Sequence, residues 1–522
     1  MIEYLSPSAL PWPKHTPQER MGAMLDQMIW GHRFTADQTP WLTFLETLGL
    51  LAARSQNPSR PPLFEVRHDG AHEDFEYRQK YKSTLRWLLF TDSEADKLAE
   101  VANSSADTSI WQTWRDRAKS NNTILRGEDL TYLERRFPRF AAYHGALDLL
   151  RSAEIEAERD RRPTSRHLAP RGLDLLMADY EWRKKGGIDN DRRYFARGGE
   201  IVYLMLARSA GAAVLAPLID QRLLTKDSRW NRLAQLLEPT IEEPGGLDNK
   251  IGYLPMPQHE RYNRLAEDWV AVLSRQSMPA DQLADPLMRL TGLHVLLYVI
   301  ERAGDMQSRD FKLALPIDLS PQVPGALRRQ SMERFQLHRQ ITRSALTEAI
   351  DRFEADTVWQ SVASAADPIA KAKDVLETWF GFDKASPVQA SPDSVLTEFR
   401  REVARKHDNN MGRIAGFYAD QIGMTVGSGT RRWYGLSDGL IEALVLANVA
   451  EPLEYELFLD RLKSRYGLVI GSSAGAALGD DAPLEQLEQN QRLFEERLRV
   501  LGLLSRLSDD CAFVSNPFHG GV

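Results

Sequence analysis

"GALRRQSMERFQLHRQITRSALTEAIDRF" (residues 325–353) decides the fold class of this chain. Leu327, Met332, Phe335, Ile341, Leu346 and Ile350 recur in it on a rough 3.6-residue period, with polar side chains between them. That spacing draws one apolar stripe along a single long helix. The same period governs "WLTFLETLGLLAAR" (41–54) through Leu42, Leu45, Leu48 and Leu51. Residues 128–152 read as two helical stretches parted near Pro138, the second striped by Phe140, Tyr143, Leu147 and Leu150. Residues 263–275 and 286–302 are helical again. Strand signals are few: "LALPIDL" (313–319), where Pro316 implies an edge, "GLVIG" (467–471) and "CAFVS" (511–515). Strands do not alternate with helices at βαβ spacing, and no fixed-period repeat is present. The expected fold is therefore mainly α, a multi-domain helical body with a C-terminal α+β unit.

A chain of 522 residues implies two to four domains. An apolar fraction of 43% and a charged fraction of 27% belong to a soluble globular protein. With 66 basic and 73 acidic residues the net charge is −7, so the chain as a whole has no pull toward nucleic acid. The single cysteine, Cys511, excludes an internal disulfide and a thiolate metal cage. No basic segment followed by an apolar one opens the sequence, so the expected location is the cytoplasm.

Composition marks the boundaries. "DKASPVQASPDS" (383–394) has the Ser/Pro/Ala content of a linker. The mixed-charge run "IEAERDRRPTSRHLAP" (155–170) marks a weaker break. The expected division is an N-terminal helical domain 1–155, a central one 156–382, the linker 383–394 and a C-terminal domain 395–522. "EEPGGLDNKIGYLPMPQHE" (242–260) reads as a loop.

Chemistry is scarce. "DRRYFARGGEIVYLMLARS" (191–209) sets Arg192, Arg193 and Arg197 beside Gly198 and Gly199 at a helix start. Unpaired N–H groups, the helix dipole and forked guanidinium donors make it an anion-binding candidate. The Lys-Ser/Thr of a phosphate-binding loop and a preceding strand are absent. The bland reading is a core helix whose arginines pair with Asp189, Asp191 or Glu200. The run Ile201–Ile219 approaches a membrane span in length, but Arg208 near its middle makes a buried helix the better reading. His294, inside the apolar run 286–300, reads as a satisfied core histidine. No HExxH, no histidine pair at helical spacing and no EF-hand loop occurs, so no metal and no cofactor is expected. "LVIGSSAGAAL" (468–478) contains Gly471-Ser472-Ser473-Ala474-Gly475, which resembles the nucleophile elbow of α/β-hydrolases and patatin-like lipases. The resemblance implies Ser473 as nucleophile. Downstream, His519 is the one histidine, with Asp480 and Asp481 nearer, and no parallel sheet precedes the motif.

The C-terminal residues read as three helices and short strands. Ser437 caps a helix bearing Leu440, Ile441, Leu444 and Val445; a second starts at Pro452 and stops at Gly467; a third runs from Leu484 to Leu504. This order over 431–518 resembles a winged helix-turn-helix. The resemblance implies docking to DNA or to protein. The second helix offers Arg461, Lys463 and Arg465; the third mixes Gln489, Asn490, Arg492, Arg497 and Arg499 with Glu485, Glu488, Glu495 and Glu496, which repel phosphates. Upstream, Arg400, Arg401, Arg405, Lys406, Arg413, Arg431 and Arg432 form a basic strip with three acids among them. The expected function is a non-enzymatic, DNA-associated adaptor of a bacterial multi-protein assembly, of the kind found in anti-phage systems. Its partners would be double-stranded DNA and ATPase or nuclease subunits. A protein scaffold without DNA binding is the alternative, and a Ser473 hydrolase the third reading.

Overall fold

A computed structural model describes residues 10, 23–31, 35, 38–56, 62–64, 73–101, 107–121, 129–157, 162–182, 187–239, 248–307, 311–321, 325–383, 390–508 and 511–518. Helices dominate, and every sheet is short. The stripe on 325–353 becomes the helix Ala326–Ala355, with Leu327, Phe335, Ile341, Leu346 and Ile350 buried. Ser331, His338, Thr342, Ala345 and Ala349 complete that face. At the centre lies Ala284–Gln307, buried nearly all round, as a helix apolar on every side must be. It packs on Pro40–Ser55, Glu260–Leu273, Ala326–Ala355, Met411–Gln421 and Asp438–Asn448. It is long and apolar enough to cross a membrane, yet 89% of its most apolar window is buried inside the protein.

The run Ile201–Ile219 is not one helix. Gly198–Ala207 and Ala212–Arg222 flank a break at Arg208, whose guanidinium is paired with Glu73 at 2.6 Å and donates to the carbonyls of Leu254 and Met256. Helix 198–207 crosses helix 40–55 so closely that a Cβ on Gly199 would stand 2.6 Å from the Thr47 nitrogen and from the Glu46 Cβ. Gly199→Ala is therefore expected to cost about 1–3 kcal/mol through overpacking. Gly145→Ala, where nothing lies within 4 Å, should instead stabilise its helix by about 0.5–1 kcal/mol. Calorimetric Tm values for the two variants test this, and a Gly199→Ala protein as stable as the parent would refute the close packing.

The expected domain boundaries do not separate cores. One hydrophobic cluster runs from Leu25 to Val514, so the apolar faces of 395–522 are buried against the helical body. The second core joins helices Ser83–Phe90, Asp107–Asn121, Thr131–Arg136 and Phe140–Arg151 to Leu168, Leu175 and Met177 and to helix Arg229–Leu237. It therefore straddles the break expected at 155/156. Within the expected linker, Ser391 caps and Pro392 opens the helix Pro392–Asn409, with a reciprocal bond between Ser391 and Ser394. Residues 384–389 lie outside the described residues.

The C-terminal unit runs helix Asp438–Asn448, strand Leu453–Glu454, helix Tyr455–Tyr466, helix Leu484–Val500, strand Leu504–Ser508 and strand Cys511–Val514. Its three-stranded antiparallel sheet has Cys511–Val514 in the middle. Two expectations change here. Leu453–Glu454 is strand, because it pairs with Val514 and Phe513, and the helix begins at Tyr455, three residues after the expected Pro452. The third helix stops at Val500, ahead of a left-handed Gly502 (φ 72°), and 504–508 becomes strand. Leu468–Val469 pairs in parallel with Leu315–Pro316. Leu315 and Ile317 donate the bonds, so the missing N–H of Pro316 costs nothing.

Candidate nucleic-acid interface

Most of the expected basic residues are already engaged. Arg400 is clamped by Asp351 at 2.6 Å and Glu354 at 2.5 Å, on helix 326–355. Arg405 pairs with Glu402 at 2.6 Å and Arg432 with Asp420 at 3.3 Å. Arg401 is exposed, 3.8 Å from Glu398. Arg461 donates to the Asn448 carbonyl, and Arg465 holds Glu267 and the buried Asp268. Lys406, Lys463 and Arg431 pair with no carboxylate among the described residues, and Arg431 is exposed. Arg413 is also exposed and donates to the Asp408 carbonyl at 3.2 Å.

The structure adds a flank the sequence reading left out. The apolar side of helix 326–355 was legible; its solvent side carries Arg329, Arg339 and Arg343, all exposed. Contacts along one edge of this helix fix what lies beside it. Arg328 stacks 4.2 Å above Trp433, Gln336 donates to the Thr430 carbonyl at 3.5 Å, Arg339 lies against Gly416, and Arg343 pairs with Asp408. Arg329 and Arg339 pair with no carboxylate among the described residues. The flank therefore continues into the hairpin Thr425–Val426/Trp433–Tyr434 and on to Arg413. At 1.5 Å per residue, Arg329 and Arg343 stand about 21 Å apart along the axis. Arg329, Arg339, Arg413 and Arg431 make a track of exposed guanidinium groups with capacity for phosphate oxygens.

The winged-helix-like unit has the opposite character. On helix 484–500, Arg499 pairs with Glu496 at 2.5 Å and Arg497 with Asp438 at 2.7 Å, while Arg506 of the following strand pairs with Glu495 at 3.2 Å. Burial, then Asp460, Glu454 and Glu495, push the Glu456 carboxyl above its ordinary value against a hydrogen bond from Gln491. Carboxylates thus crowd this face.

The remaining candidates resolve into structure. At the start of helix 198–207, Gly198 N–H donates to Gln38 Oε1 at 3.0 Å and Gly199 N–H to Glu46 Oε2 at 2.8 Å. The side chains of Gln38 and Glu46 fill the place of the expected anion. Arg197 pairs with Glu200 at 3.1 Å, Arg193 lies 3.7 Å from Asp191, and Arg192 is also partnered. His294 is a core histidine bonded to Asp268 at 2.7 Å. Ser473 is exposed in the short helical turn Ser472–Leu478, behind a two-stranded pair rather than a hydrolase sheet. Among the described residues no histidine bonds to it, and His519 lies outside them. Asp96, His144 and Asp148 bring three ligand atoms within 4.8 Å of one another, but Arg151 already pairs with both carboxylates. No protein-family model, curated protein or solved structure matches the chain.

Proposed function

We propose that this chain is a non-enzymatic, DNA-associated adaptor of a cytoplasmic multi-protein assembly. The observation that carries the reading is the track of exposed arginines Arg329, Arg339, Arg413 and Arg431, of which Arg329, Arg339 and Arg431 pair with no carboxylate among the described residues. Such a surface binds the duplex backbone through counterion release and carries no sequence code. The winged-helix resemblance is supported by the order helix–strand–helix–helix–strand–strand and by a sheet whose last strand lies between the first two. With Arg497, Arg499 and Arg506 paired to carboxylates and further carboxylates crowded beside them, that unit suits a protein partner better than phosphates. ATPase or nuclease subunits would supply the chemistry. The paired Arg497 and Arg499 of helix 484–500 favour the second reading, a scaffold that does not touch DNA.

A salt titration of duplex binding by the full chain separates the two. The adaptor predicts that log K falls linearly with log salt. Arg329→Glu/Arg339→Glu/Arg413→Glu should abolish binding at 150 mM salt, and each single Ala variant should lower the slope by about 0.9. Wild-type protein that binds no duplex at 50 mM salt would refute the adaptor and leave the scaffold.

A further inference from the structure

The hairpin beside the arginine track is built as a rigid stalk with a slim tip. Its base is fixed on every side. Trp433 donates its indole N–H to the Asp318 carbonyl at 3.2 Å and lies under Arg328. Tyr434 is buried, its N–H donating to Ser331 Oγ and its hydroxyl 2.9 Å from His338 Nδ1. Thr425 donates to Asp420 at 3.2 Å. Above the base the two arms nearly touch. Gly427 has φ 89°, and a Cβ there would stand 2.3 Å from the Arg431 carbonyl oxygen and 2.8 Å from the Trp433 ring. Residues 426–431 are exposed, and nothing lies within 4 Å of a Cβ on Gly429. Gly427, Ser428, Gly429 and Thr430 present little bulk. The long side chains are Arg431 and Arg432. Arg432 is held back by Asp420, and Arg431 is not held by any carboxylate among the described residues.

We infer that Arg431 is a minor-groove probe, entering the narrow groove of A·T-rich duplex DNA while Arg329 and Arg339 meet the phosphates alongside. This rests on the DNA reading above and names what that surface prefers. In the major groove a lone arginine is met by the paired acceptors of guanine, which would favour the G·C duplex, and this tip holds no Asn or Gln to read adenine there. A guanidinium offers donors only. The minor-groove floor of A·T pairs offers acceptors only, whereas G·C pairs add a donor that opposes it. Narrow A-tract grooves also concentrate negative potential, which draws arginine in. The glycine neck lets the backbone approach the groove rim closely enough for one side chain to reach the floor.

Fluorescence anisotropy with the full chain and two 20-base-pair duplexes of equal length, one an A-tract and one all G·C, tests the inference. The A-tract should bind about five- to tenfold more tightly. The minor-groove ligand netropsin should displace the protein from it. Arg431→Ala should remove the preference, and Arg431→Lys should keep a weaker one. Equal affinities, or indifference to netropsin, would overturn the minor-groove assignment while salt-dependent binding left the DNA reading intact. If neither duplex binds at 50 mM salt, both fall together.

Discussion

Glu46→Gln should flatten the fall of stability that the wild-type protein shows as pH rises through neutrality. Glu46 is fully buried on helix 40–55. Its Oε2 accepts from Gly199 N–H at 2.8 Å and from Gln38 Nε2 at 2.7 Å, and its Oε1 has no partner. Glu200, next along helix 198–207, is buried too and accepts from Tyr77 at 2.6 Å and from Arg197. Two buried carboxylates thus share one guanidinium. Burial, then the charge of Glu200, pushes Glu46 from 4.5 up to about 8, against the lowering bonds of Gln38 and Gly199 and the charge of Arg197. The folded-state value lies above the unfolded one. The stabilisation is therefore complete below about 4.5 and is lost as pH rises through about 8. At about 1.36 kcal/mol per pH unit, the window is worth on the order of a few kcal/mol. The neighbouring Tyr77, Tyr194 and Tyr418 are raised by burial and stay neutral across it. Tm measured from pH 5 to 9 should drop in the wild type and much less in Glu46→Gln. Parallel curves would show that Glu46 is ionised in the fold.

Asp268→Ala should destabilise the protein by about 3–5 kcal/mol, because it leaves the buried His294 imidazole and Tyr466 hydroxyl without their acceptor and takes one of two carboxylates from Arg465. Asp268 is fully buried on helix 260–273. Its Oδ2 lies 2.7 Å from His294 Nε2 and accepts from the Tyr466 hydroxyl at 2.7 Å, and its Oδ1 meets Arg465. One carboxylate thereby ties helix 260–273 to the central helix and to helix 455–466. Burial acts to raise its value, but His294, Arg465 and Tyr466 outweigh that and hold it below the ordinary carboxylate range. Burial pulls His294 down against the pull of Asp268, and its Nε2–H donates to that carboxylate. Asp268→Asn keeps a hydrogen-bonding group without the charge and should lose less. Denaturation of both variants, followed with limited proteolysis after residue 450, measures the effect. An Asp268→Ala protein within 1 kcal/mol of wild type would remove this node from the account of the fold.

What was readable in the chain was local. The period of Leu327, Phe335, Ile341, Leu346 and Ile350 dictates a helix wherever it is buried, and Ser437 and Gly467 cap helices by short-range chemistry. That His294 finds a buried partner was also legible, since an imidazole inside an apolar run needs one; Asp268 bonds its Nε2, while its Nδ1 has no partner among the described residues. The solvent face of helix 326–355 was passed over, because an arginine every few residues looks like an ordinary charged surface until its neighbours are known.

The sequence by itself determined that the protein is mainly helical, roughly where its helices lie, and which faces of them are apolar. Those properties depend on residues three and four apart. Tertiary structure alone decided which charges are free. Arg400 and Arg465 are neutralised by acids 46 or more positions away, the glycine pair at 198–199 receives the side chains of Gln38 and Glu46, and Arg431 meets no carboxylate among the described residues. It alone decided, too, that the Ser/Pro-rich stretch before residue 395 joins segments of one core. Composition reports what a segment prefers in isolation, whereas burial and ion pairing depend on surfaces brought together from far along the chain.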